Sequence, residues 1–291
     1  MMHSYPHIAS RLFNTPLMLA PAKAEIIVSA VAERFGIANL FHADGSMVMF
    51  DQAMEREAAF DRRETDLGYD MVENVAVVSV LGSLAQRTGS LRPMSGMTGY
   101  DGLTQGLVAS ANDDAVDAIA MEIDSPGGEV AGCFDLADTI RKIAQHKPVW
   151  AILAENAFSA AYALASAASV ITVPRTGGTG SVGVIYMHTA IARALDAAGL
   201  DVTLITKGDL KADGTDVRQL SRRAIRRIKA DIDEVGNLFD ATVARNRGMS
   251  VRRVFDTQAG TFMGRHGVDV GFADEVASPQ EALQALLDKV A

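Results

Sequence analysis

Two short segments contain the residue types needed for nucleophilic attack on a carbonyl group. The first is Asp124-Ser-Pro-Gly-Gly128, and the second is Asn156-Ala-Phe-Ser-Ala-Ala-Tyr-Ala163. Each follows an apolar run typical of a buried strand and precedes a helix-like stretch. Consecutive glycines can present backbone N–H groups where a side chain would block them, and Ser159 lies at a strand-to-helix turn. Together the segments predict an oxyanion hole beside a nucleophile, as in a serine hydrolase.

A serine nucleophile needs a base, because its hydroxyl is a poor nucleophile at its free pKa. The histidines lie in sequence contexts that suggest no triad, whereas Ser-Lys hydrolases use a neutral lysine. Free lysine has a pKa of about 10.4, so burial would have to lower it. Lys207 and Lys211 both follow a predicted strand at 202–206, and these residues alone do not choose between them. Either can equally be an exposed loop lysine, since lysine is seldom fully buried.

Both candidate serines also have structural interpretations. Ser125 precedes Pro126, which favours an extended backbone, and it fits a turn-forming role better than a catalytic one. Ser159 precedes an alanine-rich helical stretch, and serine is a common helix N-cap.

A third glycine-rich segment resembles a dinucleotide-binding loop. Gly178-Thr-Gly-Ser-Val-Gly183 matches G-x-G-x-x-G, and Asp201 lies about 20 residues further on. That fingerprint requires a helix to begin at the glycines. Residues 182–187 are rich in β-branched side chains and predict a strand instead, so we expect no dinucleotide site.

Composition narrows the functional classes. The 291 residues carry a net charge of −9, which argues against a general nucleic-acid or anionic-membrane binder. Cys133 is the single cysteine, so no internal disulfide can form, and we expect a buried thiol in a reducing compartment. The six histidines form no HxxxH or HxH pair, and we expect neither a metal nor another cofactor. With no membrane-spanning run or secretory signal in the sequence, we expect a cytoplasmic protein without a membrane anchor.

The order of predicted elements indicates an α/β fold. Residues 1–70 predict a mostly helical lead-in, with helical spacing at 22–35 and an exposed helix or linker at 51–66. Residues 71–291 alternate strands and helices, which predicts a mostly parallel sheet with flanking helices. The predicted strands are 75–81, 118–123, 149–153, 170–173, 182–187 and 202–206, and the predicted helices are 102–112, 129–146, 160–168, 189–198 and 219–246.

The first half of the last predicted helix is strongly basic. It carries Arg222, Arg223, Arg226, Arg227 and Lys229. The simpler interpretation is a solvated face that nearby acidic residues partly neutralise. The alternative is a docking surface for an acidic partner or another subunit.

Taken together, these motifs resemble those of the S49 serine peptidases. The resemblance rests on Asp124-Ser-Pro-Gly-Gly128, Ser159 with its small neighbours, Thr179-Gly-Ser-Val-Gly-Val184 and Lys211-Ala-Asp-Gly214. That family includes the signal peptide peptidase A enzymes and has a ClpP/crotonase-like fold. Within it, the chain is similar to the capsid assembly proteases of lambda-like phages in Pro6-His-Ile-Ala-Ser10, Pro16-Leu-Met-Leu19, Ser95-Gly-Met-Thr-Gly-Tyr100 and Gly271-Phe-Ala-Asp-Glu-Val276.

The resemblance implies a role for each site residue. Ser159 would be the nucleophile. Lys211 would be the general base, because its interval of 52 positions from Ser159 suits the family and that of Lys207 does not. Ser181 would help to hold the lysine. The backbone N–H groups of Gly128 and Ala160 would line the oxyanion hole.

The resemblance also implies a function and partners. It implies a serine endopeptidase, with residues 71–291 as its S49 domain, that matures phage capsids by cleaving scaffold, portal or capsid proteins. Its location would be the host cytoplasm or the interior of the prohead. Rings in which subunits complete one another's sites imply a homo-oligomer without nucleic acid. Longer phage members carry a C-terminal scaffold extension, so we expect any scaffold here to be a separate product.

Three alternatives remain open. One is a housekeeping protease of the signal peptide peptidase type, whose usual membrane anchor the sequence does not show. Another is an inactive structural component of the prohead, against which the presence of Ser159, Ser181 and Lys211 argues. The last is a crotonase-type acyl-CoA enzyme, which would not need a serine paired with a lysine.

Overall fold

The computed structural model describes residues 16–19 and 60–291. The strands in these ranges are β1 (Pro16–Leu19), β2 (Arg63–Glu64), β3 (Asp70–Val72), β4 (Val75–Leu81), β5 (Ser83–Ala85), β6 (Met97–Gly99), β7 (Ala118–Ser125), β8 (Gly127–Glu129), β9 (Val149–Phe158), β10 (Val170–Val173), β11 (Gly178–Gly180), β12 (Ile185–Tyr186), β13 (Thr261–Met263) and β14 (Glu275–Val276). The helices are α1 (Tyr100–Asn112), α2 (Cys133–Ile143), α3 (Ala160–Ser166), α4 (Ala192–Ala197), α5 (Arg222–Arg247), α6 (Val251–Phe255), α7 (Arg265–Val270) and α8 (Pro279–Val290).

The main sheet has a parallel centre formed by β4, β7 and β9. Along the sheet the order is β13-β11-β9-β7-β4-β3-β2. Strand β9 has ten residues, and one of its edges pairs with β7. Its opposite edge pairs in parallel with β10 near the start of β9 and with β11 near its end. Because β11 pairs with Asn156–Phe158, the carboxyl end of β9 is held on both sides where it reaches Ser159.

A second sheet lies beside this end of β9. Its order is β12-β1-β8-β5-β6. Strand β8 contains Gly127 and Gly128, and it pairs in parallel with β5 and antiparallel with β1. The second sheet therefore carries the paired glycines that the sequence singled out.

Helices cover both faces of the main sheet. One face packs against α1, α2 and α3 in the larger apolar cluster, while the other packs against α8 in a smaller cluster. Strands β4, β7 and β9 are apolar and almost fully buried, as expected for a parallel sheet covered on both sides. The structure thus confirms the predicted mixed α/β fold with helices flanking a mostly parallel central sheet.

Several predicted elements differ from the structure. Residues 202–206 form no strand, and all five are exposed, because none of the strands in 16–19 or 60–291 pairs with their backbone. The helix predicted from 129 begins at Cys133, because residue 129 belongs to β8 and Gly132 at φ 87° interrupts a helical path. Of the strand predicted at 182–187, only Ile185–Tyr186 forms a strand, β12.

The expectation of a helical lead-in over residues 1–70 stays a prediction, because most of these residues lie outside the described ranges. The described parts of residues 1–70 contain β1, β2 and the start of β3. The helix predicted at 22–35 lies outside the described residues, as does most of 51–66. The division at residue 70 stays a prediction. Within the ranges described, none of the helices combines the length and apolarity needed to cross a bilayer.

Substituting Gly128 tests the close contact between β8 and β5. A Cβ at this position would lie 1.9 Å from the Leu84 carbonyl oxygen, so we expect Gly128→Ala to lower the free energy of unfolding by about 1–3 kcal/mol. Gly236 in α5 has open space around its Cβ position, and Gly236→Ala is expected to raise it by about 0.5–1 kcal/mol. Urea unfolding of both variants measures the difference. A Gly128→Ala variant that unfolds at the same urea concentration as the unsubstituted protein would contradict the close contact between β8 and β5.

Candidate active site

Ser159 adopts a backbone conformation that L-amino acids rarely take. It links β9 to α3 with φ 54° and ψ −117°, and its N–H donates to the Gly180 carbonyl oxygen at 2.8 Å. Although Ser159 occupies the N-cap position, its side chain makes no capping hydrogen bond. Its Oγ instead lies 3.4 Å from the Gly183 carbonyl oxygen. Backbone strain of this kind is concentrated at functional sites, so the geometry favours the nucleophile over the simple N-cap.

Helix α3 is fixed immediately after the serine. All seven of its residues are buried, and the Tyr162 hydroxyl donates to the Phe272 carbonyl oxygen at 3.0 Å. Because Ala160 is the first residue of α3, its N–H has no partner within the helix. Ala160 therefore lies directly after Ser159 with its N–H at the start of the helix, and its role as an oxyanion donor stays a prediction.

The paired glycines lie against the serine. A Cβ on Gly127 would be 3.0 Å from the Ser159 Cβ and 2.2 Å from the Met18 carbonyl oxygen. Gly128 is equally confined by Leu84 on the opposite side. Only glycine fits either position without movement of the backbone. The structure therefore brings Gly127 and Ser159 together where the two sheets meet, and the role of Gly128 and Ala160 as oxyanion donors stays a prediction.

Ser125 acts in the turn that leads to these glycines. It is 1% exposed, and its Oγ accepts a hydrogen bond from the Gly127 N–H at 3.2 Å. That bond supports the turn-forming role. Cys133 is fully buried as expected, with its Sγ 3.5 Å from the Ala160 carbonyl oxygen, and burial raises its thiol pKa to about 12. A protonated thiol of this kind is a packing residue rather than a competing nucleophile.

The glycine-rich segment at 178–183 serves the same junction. Gly178–Gly180 forms strand β11 rather than the start of a helix, which excludes the dinucleotide fingerprint there. Ser181 follows with φ 54°, is 6% exposed, and donates its N–H to the Gly260 carbonyl oxygen at 2.8 Å. No cluster of potential metal ligands occurs in the described part of the chain.

The Lys211 side chain forms no hydrogen bond with Ser159 in the described structure. It lies in an exposed turn, and its amine makes no hydrogen bond or ion pair with another residue in 16–19 or 60–291. Lys207, the alternative, is also exposed. The structure therefore assembles the serine and the glycines but not the base, and the pairing of Ser159 with Lys211 stays a prediction.

An ion-paired cluster that the sequence did not single out anchors the turn bearing Lys211. The Asp213 side chain is 2% exposed, and its two carboxylate oxygens lie 3.4 Å from Arg223 Nη2 and 3.5 Å from Arg227 Nε. Arg223 also donates to the Asp209 carbonyl oxygen at 2.5 Å. The partners are ten and fourteen residues apart and lie in different elements, a turn and α5, so no periodic pattern within one element reveals this cluster.

The same cluster accounts for two of the basic residues in the predicted helix 219–246, which forms α5. Arg223 and Arg227 belong to its basic first half, yet they bind the Lys211 turn rather than facing only solvent. Lys229 forms an exposed pair with Asp233 in the same helix. One side of α5 thus positions the turn, and another side is the solvated face.

Comparison with known proteins places these residues in a family. The model for peptidase family S49 matches residues 141–291, just over half of the chain. The match includes Ser159, Ser181 and Lys211, and it begins after Gly128.

Two phage proteins are similar over almost the whole chain. Capsid assembly protease C of Escherichia phage lambda is 38% identical over 99% of this chain and 66% of its own length. Head-tail preconnector protein GP5 of Enterobacteria phage P21 is 38% identical over 98% of this chain and 58% of its own length. The chain therefore spans less than two thirds of each relative. The chloroplastic serine protease SPPA of Arabidopsis thaliana is 24% identical over 72% of the chain and 32% of its own length.

Neutralising Asp213 tests whether its ion pairs position Lys211. We expect Asp213→Asn to reduce casein hydrolysis by about 10–100-fold, because small displacements of catalytic groups carry costs of that order. Asp231→Asn is the matched control, since Asp231 pairs with the same Arg227 at 3.2 Å but is 58% exposed. Hydrolysis rates measured under identical conditions compare the two. Equal rates in both variants would contradict the positioning role.

Proposed function

Because the chain belongs to peptidase family S49, we propose that it is a serine endopeptidase with Ser159 as nucleophile and Lys211 as general base. The observation that carries the proposal is the strained backbone of Ser159, packed against Gly127 and followed by the free N-terminal turn of α3. A serine that only capped a helix would have no need of this conformation.

The proposed reaction follows from these positions. Lys211 accepts the Ser159 hydroxyl proton while Oγ attacks the scissile carbonyl carbon, and the resulting oxyanion accepts hydrogen bonds from the N–H groups of Gly128 and Ala160. The lysine then protonates the departing amine. It next removes a proton from water, which attacks the acyl-enzyme, and it returns that proton to Ser159 Oγ as the second product leaves.

We propose that the lysine reaches the serine within a homo-oligomer. Lys211 is exposed, so neighbouring protein has to desolvate its amine before it can act as a base. The surrounding segment also exposes an unusual amount of apolar surface, which is typical of a protein contact. Its exposed apolar residues are Ile191, Leu200, Val202, Leu204, Ile205 and Leu210. A subunit contact along this segment would cover these side chains and could bring Lys211 to the serine of a neighbour.

The finer fold assignment is also a proposal. The parallel strands β4, β7, β9 and β10 with α1, α2 and α3 between them are compatible with a ClpP/crotonase-like core. The glycines and the start of α3 would then form the oxyanion site. A crotonase-type acyl-CoA reaction would leave the strained serine without a purpose, so the peptidase is preferred.

The names of the two phage relatives suggest the substrate class. One is a capsid assembly protease and the other a head-tail preconnector protein. We propose that this chain cleaves scaffold, portal or capsid proteins during prohead maturation, in the host cytoplasm or inside the prohead. A housekeeping protease or an inactive head component would show no selective cleavage of such proteins.

Casein hydrolysis near pH 8, with labelling by a fluorophosphonate probe, tests the catalytic residues. We expect Ser159→Ala to abolish both reactions and Lys211→Ala to slow both by at least about 10²-fold, since the base activates the nucleophile. Lys207→Ala and Ser125→Thr are the matched controls and should retain activity. Equal rates in Lys211→Ala and Lys207→Ala would contradict the assigned base. Labelling at a residue other than Ser159 would contradict the nucleophile.

A further inference from the structure

Strand β1 is inserted between two strands of the candidate active site. Pro16 and Leu17 pair with Tyr186 and Ile185 of β12. Along its other edge, Leu17, Met18 and Leu19 pair antiparallel with β8. Four residues from the N-terminal part of the chain thus join β8 to β12 in one sheet. Without them, each of those two strands would present an unpaired edge to a slot one strand wide.

This slot passes the catalytic junction. Met18 lies opposite Gly128 in the strand register, and its carbonyl oxygen approaches Gly127 on the side where Gly127 meets the Ser159 Cβ. With β1 in place, Ser159 is only 1% exposed. An external peptide has to reach the nucleophile before it can be cleaved. Strand β1 occupies space beside both Ser159 and the predicted oxyanion donor Gly128.

The slot also accommodates an apolar side chain. Met18 is completely buried, and it belongs to the same apolar cluster as Leu84, Ala161 and Val182. The backbone of β1 is therefore held by strand pairing, and a side chain opposite Gly128 is held by apolar packing. Backbone pairing that supplies affinity, with side-chain pockets that supply selectivity, is how proteins bind extended peptides at sheet edges.

We propose that residues 16–19 occupy the slot between β8 and β12 as an internal competitor of an extended substrate strand. The inference rests on the proposed peptidase function for its catalytic meaning. The bound peptide would run antiparallel to β8 and place an apolar side chain opposite Gly128. A charged side chain there would be disfavoured, because its burial without a partner costs several kcal/mol.

Tethering makes a short competitor effective. Residues 16–19 are part of the same chain as the slot, so their binding is intramolecular and does not weaken when the protein is diluted. A separate peptide at micromolar concentration then competes poorly. Substrate concentrated in an assembling particle would compete far better, so the device would suppress cleavage in dilute solution.

A reversible cross-link tests this occupancy in the full-length protein. Leu17 and Ile185 are facing partners in the antiparallel pair of β1 and β12, and Cα separations in such pairs permit a disulfide. We expect oxidised Leu17→Cys/Ile185→Cys to cleave casein and label with fluorophosphonate at least about 10-fold more slowly than the same sample after reduction. The buried Cys133 is kept in all samples.

The matched control places a disulfide between other antiparallel partners. Glu64 and Asp70 face each other in β2 and β3, at the end of the main sheet away from β11. Oxidation of Glu64→Cys/Asp70→Cys should leave both rates unchanged. An oxidised Leu17→Cys/Ile185→Cys protein that cleaves casein as fast as its reduced form would overturn the proposal.

A binding measurement separates this inference from the catalytic proposal. In a Ser159→Ala background, a fluorescent peptide with the sequence of residues 14–21 should bind Met18→Asp at least about 10-fold more tightly than the oxidised cross-linked protein. The same peptide with Asp in place of Met should not bind. This result would support the slot even if casein hydrolysis failed in every sample. Equal binding to the folded Met18→Asp and cross-linked proteins would overturn it.

Discussion

The absence of side chains at Gly127 and Gly128 determines how the two sheets meet. At these positions the backbones of β1, β5, β8 and the turn at Ser159 approach so closely that a single methyl group would overlap a carbonyl oxygen. This close approach places β8 beside the carboxyl end of β9. Gly127 contacts Ser159 at this point, and the Ser159 N–H donates a hydrogen bond to the Gly180 carbonyl oxygen of β11. These two contacts support the unusual backbone conformation of Ser159. The positions of Ser159, of the two glycines and of β1 all depend on that one contact.

The sequence predicted best where a signal is local. The β-branched run at 75–81 and the apolar start of β9 are strands in the structure because they are buried in a covered parallel sheet. The pattern around Ser159 was sufficient to identify the strand-to-helix turn. Each of these features depends on the residue types within a few positions, and the main sheet satisfies those preferences.

The predictions that failed concern features that depend on residues far apart in the sequence. Glycine has little intrinsic preference for a strand, so β8 was not predicted, and it forms because β1 and β5 pair with it. Residues 202–206 have suitable side chains for a strand but no partner within the described chain. Asp213 meets Arg223 and Arg227 only after the chain has folded back onto α5. Pairing over long intervals determines all three outcomes.

In one chain, Ser159 lies beside Gly127 at the start of α3, while Lys211 is exposed and β1 lies between β8 and β12. Under our proposals, both conditions change when subunits and substrate assemble, which links activity to assembly. The most direct test co-purifies Ser159→Ala and Lys211→Ala subunits carrying different tags. We predict that mixed oligomers hydrolyse casein although each variant alone does not, because one subunit supplies the serine and its neighbour the lysine. Inactive mixed oligomers, alongside an active wild-type protein, would contradict a base supplied between subunits.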